Sequence, residues 1–141
     1  MDGLANSARD LLLLVARVAV GWIFMQSGFA KLQDIPGFVA TMGRRGLPDF
    51  LGYVAPPVEF LGGVLLLAGC ATRYAALMLL AFTIIASFSS HAFWSYPITD
   101  TVNRNLHFGQ FWKNMTMKGG LLLLFVTGAG KYSIDALLRR K

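Results

Sequence analysis

The sequence predicts an all-α integral membrane protein: a four-helix bundle with a short interfacial helix in its first loop. Three observations carry this. The 141-residue chain is 55% hydrophobic and only 14% charged, where a soluble domain has about 25% charged residues. Its mean hydropathy is +0.56. Its apolar residues gather into four runs, each near the roughly 20 residues that a bilayer crossing needs. So short and apolar a chain has too little polar surface to cover itself in water.

The first span runs from about Leu11 to Leu32. Arg17 interrupts its apolar run and no small-x-small cleavage site follows, so it reads as a retained helix rather than a cleaved signal. The first loop, QDIPGFVATMGRRGLPDF, is long. Within it Phe38, Val39 and Met42 form one apolar face between Pro36 and Gly46, the pattern of a short helix lying in the membrane interface. The second span runs from about Leu51 to Ala71, with Pro56 and Pro57 near its start, and the tight turn GCATR leads to the third, about Tyr74 to Trp94. The third loop, SYPITDTVNRNLHFG, mixes aromatic and polar residues before the fourth span, about Gln110 to Gly128. No repeat or low-complexity linker divides the chain, which reads as one domain over 1–141.

The net charge is +6, from 13 Lys and Arg against 7 Asp and Glu. These cations sit near the ends of apolar runs, which points to lipid head groups and away from nucleic acid. LLRRK at the C-terminus has the character of a juxtamembrane basic tail. The basic residues of the termini and the second turn (Arg9, Arg73, Lys131, Arg139, Arg140, Lys141) modestly outweigh those of the other loops, which predicts cytoplasmic termini. The single cysteine, Cys70, has no CxxC partner, so the chain is no self-contained dithiol oxidoreductase. It carries no flavin fingerprint, iron–sulfur motif or metal-ligand pattern, and two histidines without CxxCH make no case for haem.

Alternating helices bring the end of span one, the start of span two, the end of span three and the start of span four to one membrane face. Those ends hold Lys31, Glu59, His91 with Trp94, and Gln110 with Lys113 and Asn114. Polar residues of all four helices therefore meet at one mouth, while GCATR and GAGKYS leave the far end plainer. Arg17, Gly21, Phe24, Gly28 and Lys31 share one stripe of the first helix, and Gln110, Lys113, Asn114, Met117 and Lys118 share a face of the fourth. Ser87, His91 and Trp94 lie about one turn apart on the third. Glu59 stands beside Gly62 and Gly63, small residues that let helices approach.

A charge at membrane depth costs about 2.5–3.5 kcal/mol on insertion scales, so it faces the bundle interior and pairs. Glu59 is the one acid well inside a span, and Arg17 and Lys118 are the cations expected to reach it. Bland readings stand beside each. Lys31 and Lys113 sit where lysines snorkel to the interface. Trp22 and Trp112 suit an aromatic belt. His107 falls in a loop, and Glu59 with Arg17 would also serve as a purely structural ion pair.

The motifs then resemble a known family. An early helix with Arg followed by GFAKL, then GLP, VEFLGGVLLLAGCATRYAAL, HAFW, FWKNMTMKGGLLLL and GAGKYSIDALL, are similar in order and spacing to the DoxX family. The resemblance covers nearly the whole chain. It implies a compact four-helix bundle in the bacterial cytoplasmic (inner) membrane. It also implies that Arg17, Lys31, Glu59, His91, Lys113 and Asn114 match the family's polar positions. One related branch is the membrane subunit of thiosulfate:quinone oxidoreductase, so the resemblance implies a partner subunit in a redox or sulfur-metabolism complex.

Three functions fit. The first is a redox subunit with a quinone-type or small-amphiphile site. In it Arg17, Lys31, Lys113, Asn114 and Lys118 bind the ligand, while Glu59 and His91 carry protons. The second is a non-enzymatic assembly or anchoring subunit. The third is a small-anion carrier, for which four helices without a repeat would need a homo-oligomer to form a path.

Overall fold

The computed structural model describes residues 2–139, the side chains of Asp2 and residues 4–7 aside. Arg140 and Lys141, the end of the expected basic tail, lie outside the described residues. The chain runs through helices α1 (Asp2–Leu32), α2 (Ile35–Arg44), α3 (Phe50–Ala68), α4 (Thr72–Ser90), a 3₁₀ turn (Phe93–Ser95), α5 (Thr101–Thr127) and α6 (Ile134–Leu138). No strand occurs among the described residues. The expected all-α bundle is observed, with α2 as the short helix of the first loop.

Local chemistry sets the boundaries. Asp34 accepts from the Gly37 N–H at 2.9 Å and Pro36 occupies the first turn, which starts α2. Gly69, at φ +66°, ends α3 in the left-handed conformation that a residue without Cβ adopts freely. Asp100 accepts from the Asn103 N–H and side chain and so nucleates α5 at Thr101, well before the expected Gln110. The third loop is therefore largely helix. His107 lies on α5, not in a loop, and α4 ends at Ser90, so His91 caps that helix and Trp94 stands on the 3₁₀ turn beyond it.

Two helix pairs make the bundle: α1 lies along α3, and α4 along α5. Glycines bring α1 and α3 together. A Cβ at Gly63 would strike the Met25 backbone, and one at Gly28 the backbone of Phe60. The pairs close on each other at the far half of the bundle, where Phe24, Leu66, Ala75, Ala76, Leu79, Leu121 and Leu124 form the core. Toward the mouth they part, and α2 lies across the opening, with Val39 over Gly52 of α3.

Helix periodicity explains which residues are buried. On α5, His107, Phe111, Asn114, Lys118, Leu121 and Leu124 form one buried stripe. On α1 the expected stripe is buried at Arg17, Gly21, Phe24 and Gly28, and its last member, Lys31, is half-buried. The outer faces carry exposed Val15, Trp22, Ile85, Leu123 and Val126, a lipid-facing composition. Helical segments Ala8–Leu32, Phe50–Ala68 and Thr72–Ser95 are long and apolar enough to cross a membrane. Helix α5 has 27 residues, about 40 Å at 1.5 Å each, but polar residues crowd its first two-thirds.

Candidate functional site: an amphipathic cavity between the helix pairs

Where the helix pairs part, they enclose a cavity of about 760 Å³. This is within the range of small-molecule sites, roughly 300–1,000 Å³. Its inner wall is apolar, with Phe24, Phe82, Ala86 and Met117. Its mouth is polar. Lys31, Arg45, Lys113 and Glu59 line it with His91, His107, Gln110 and Asn114. Three of these side chains are cations and one is an acid, so the space favours an anion or the negative end of a carbonyl dipole.

Glu59 is buried and its Oε2 accepts from Lys31 Nζ at 2.5 Å and from Ser27 Oγ at 3.1 Å. The glycine seam explains this contact. Gly63 holds α3 against Met25 of α1; the two helices run antiparallel, so Glu59, one turn before Gly63, meets Ser27 and Lys31, which follow Met25. Lys31 Nζ also lies 5.3 Å from the Phe38 ring centroid and so ties α1 to α2.

The expected site residues divide into two groups. Lys31, Glu59, His91, Lys113 and Asn114 line the cavity; Asn114 is buried and Lys113 is exposed at the rim. Arg17 and Lys118 do not line it. Lys118 is buried beside it, with Nζ 5.5 Å and 5.7 Å from the Phe88 and Phe111 rings. Arg17 lies at the far end, where Nη2 donates to the Tyr132 carbonyl at 2.7 Å and Nη1 sits against Gly69. The expected reach of Arg17 and Lys118 to Glu59 is therefore replaced by the Lys31 pair. Fourteen residues separate Arg17 from Lys31, about 21 Å of helix, so the two occupy opposite ends of the bundle.

The far end is also richer than its sequence suggests. Asp135 accepts from the Ala71 and Thr72 N–H groups at 2.7 and 2.9 Å, capping α4 from the C-terminal segment. Burial pushes the Asp135 carboxyl up, but those bonds and Arg139 outweigh it and hold the group below the usual carboxylate range.

Ser27, Arg45 and His107 complete the cavity and were not expected there. His107 had a legible signal: it continues the Phe111, Asn114, Lys118 stripe one turn upstream. Its Nδ1 lies 3.3 Å from His91 Nδ1, and its Nε2 lies 2.9 Å from the Tyr96 hydroxyl, with the Tyr96 ring stacked on it at 4.7 Å. An aromatic cluster of Phe88, Phe93, Trp94, Phe108, Phe111 and Trp112, with centroids 5.1–6.1 Å apart, braces the α4–α5 connection around this group. No group of three or more metal-ligating side chains occurs among the described residues.

Fold and cavity define a small helical membrane protein with an internal amphipathic cavity. The DoxX family model matches residues 12–92, and the SURF4 family model matches residues 54–140. The inner membrane protein YqjF of Escherichia coli is 35% identical over 94% of this chain and 95% of its own length. The inner membrane protein YphA of the same organism is 34% identical over 92% of each. A Bacillus subtilis protein named "Putative oxidoreductase CatD" is 38% identical over 58% of this chain and 60% of its own length. No solved structure matches the chain. The chain belongs to the DoxX family, as its motifs led one to expect.

Proposed function

We propose that this protein is a membrane redox subunit whose cavity binds a quinone or a similar small amphiphile, and that it works with a partner protein in the bacterial inner membrane. The observation that carries this reading is the cavity itself: an apolar inner wall of Phe24, Phe82 and Met117 under a mouth of donors. A quinone needs an apolar slot for its ring and tail, and donors at its carbonyls. Lys113 and Asn114 are the donors on α5, and Lys31 is the donor on α1. Glu59 and His91 are the groups of the lining suited to exchanging protons with a reduced carbonyl. The name of the Bacillus relative supports a redox reading, and the inner-membrane relatives support the location. In this reading the electrons come from a partner or from a small reductant.

In this reading α5 is the fourth span, with its apolar last third, from Gly119 to Thr127, deepest in the bilayer and its polar first two-thirds along the cavity and the mouth. Both termini then lie on the cytoplasmic side. A reporter that works only in the cytoplasm, fused after Lys141, should be active; activity of a periplasm-dependent reporter there reverses the orientation.

The test of the site is ligand affinity in nanodiscs. Short-chain quinone should bind the wild type saturably. Asn114→Leu removes a donor at nearly constant volume and should weaken binding about tenfold, a loss of ~1.4 kcal/mol and within the range of one hydrogen bond, at unchanged helicity and melting temperature. Absence of saturable binding to folded wild type refutes the reading, and the assembly-subunit role then takes its place.

A further inference from the structure

We propose that Tyr96, His107 and His91 form a proton relay that joins the surface of the mouth to the cavity. The inference rests on the quinone reading for its purpose; its existence rests on geometry alone. Tyr96 lies outside the cavity lining on the partly exposed connection between the 3₁₀ turn and α5, whereas both histidines line the cavity. The three groups are joined by two contacts of hydrogen-bond length, 2.9 Å from the Tyr96 hydroxyl to His107 Nε2 and 3.3 Å from His107 Nδ1 to His91 Nδ1.

The second contact constrains the chemistry. Two Nδ1 atoms facing each other can share one proton, since two would clash and none would leave lone pair against lone pair. Only two proton arrangements satisfy both contacts with neutral rings. In the first, Tyr96 donates to His107 Nε2, His107 Nδ1–H donates to His91 Nδ1, and His91 carries its proton on Nε2. In the second, His91 Nδ1–H donates to His107 Nδ1, His107 Nε2–H donates to the Tyr96 oxygen, and His91 Nε2 is bare. Passing from first to second, His91 releases its Nε2 proton to a ligand oxygen in the cavity. It takes the His107 proton, His107 takes that of Tyr96, and Tyr96 takes one from water. One proton enters, one leaves, and no charge accumulates. The reverse passage carries a proton from a ligand hydroxyl outward.

The surroundings keep the relay in place. Tyr96 stacks on His107 at an interplanar angle of 13°, and Arg104 Nη1 donates to the Tyr96 carbonyl at 3.2 Å, which fixes the connection that carries Tyr96. The Ser90 carbonyl is a further acceptor beside His107. Two imidazole nitrogens 3.3 Å apart would also suit a metal ion, but Lys31, Arg45 and Lys113 line the same cavity and repel one, and no third ligand of the usual kinds joins the pair among the described residues.

Two ligand-free measurements on full-length protein in nanodiscs test this, with quinone titration beside them. Nitrogen-15 spectra of labelled histidine should show His91 and His107 coupled through one shared proton. Exchange of that proton with water should slow about 10²-fold in Tyr96→Phe, the lower end of what a positioned acid–base group contributes. The stack and the quinone affinity should survive, the latter within about twofold, well under the tenfold per 1.4 kcal/mol of a lost contact. His107→Gln should abolish the coupling and serves as the second variant. Absence of coupling, exchange indifferent to Tyr96→Phe, or uptake of one Zn²⁺ that replaces the shared proton each overturns the relay. A wild type that binds no quinone but shows the coupling and the Tyr96-dependent exchange refutes the functional reading and upholds the relay.

Discussion

Lys31→Met and Glu59→Gln remove opposite ends of the same ion pair, and the structure says which is worse. The Glu59 side chain is 8% exposed and that of Lys31 27%. Lys31→Met leaves a carboxylate in the glycine seam between α1 and α3, with Ser27 Oγ as its donor among the described contacts. Removing one partner from a buried pair costs about 3–5 kcal/mol, because the other charge stays behind uncompensated. Glu59→Gln is milder. The amide oxygen still accepts from Ser27 and Lys31, and Lys31 keeps the Phe38 ring at 5.3 Å and can extend into water at the mouth. The loss is then that of one charge-assisted bond, about 1.5–3 kcal/mol. The double variant strands no charge and should be more stable than Lys31→Met alone, with a coupling of about 1–3 kcal/mol. Reversible unfolding in mixed micelles, followed by helicity and by Trp fluorescence, measures all four proteins. Equal losses for the two single variants, or a strictly additive double variant, would show that Glu59 is solvated and that the pair does not hold the seam.

Two further outcomes follow from other contacts. Because the Asp135 carboxyl is held below the usual range in the fold, its contribution is fully present above the unfolded value and is lost as pH falls through the folded one. Melting temperature should therefore drop on acidification below about pH 4, the ordinary carboxylate range, and drop less in Asp135→Asn, which at neutral pH should itself cost about 1 kcal/mol as a weakened helix cap; identical acid profiles would refute the cap. Gly63→Ala should cost well over 2 kcal/mol or prevent folding, since its Cβ meets the Met25 backbone, whereas Gly119→Ala meets nothing within 4 Å and should stabilise by up to about 1 kcal/mol through helix propensity. Similar melting temperatures for the two variants would mean that α1 and α3 do not pack through Gly63.

The periodicity of single helices could be read directly. The buried stripe on α1 and the apolar face of α2 follow from residue spacing, because a helix imposes its 3.6-residue repeat whatever it packs against. The start of α5 was missed for a local reason: the polar run from Thr101 to Gln110 resembles a loop by composition. Its signals were the Asp100 cap and the placement of His107, Phe111, Asn114 and Lys118 on one stripe. Losing that turn also lost the contact of His107 with His91 and Tyr96.

Sequence alone determined that the chain is helical and belongs in a membrane, and that four helix ends with polar residues converge on one face. Hydropathy, length and alternating direction suffice for that, and none depends on how helices touch. Only the tertiary structure decided which charges meet. Glu59 was expected to meet Arg17 and Lys118 and instead meets Lys31; the choice depends on the axial register of α1 against α3, which Gly63 against Met25 and Gly28 against Phe60 set by close backbone approach. A shift of one turn, about 5.4 Å, would carry Glu59 past Lys31. The cavity is tertiary in the same sense: it exists because α1 with α3 and α4 with α5 close at Leu66, Leu79 and Leu121 and part toward the mouth. Side-chain spacing along one helix holds no information about the gap between two pairs.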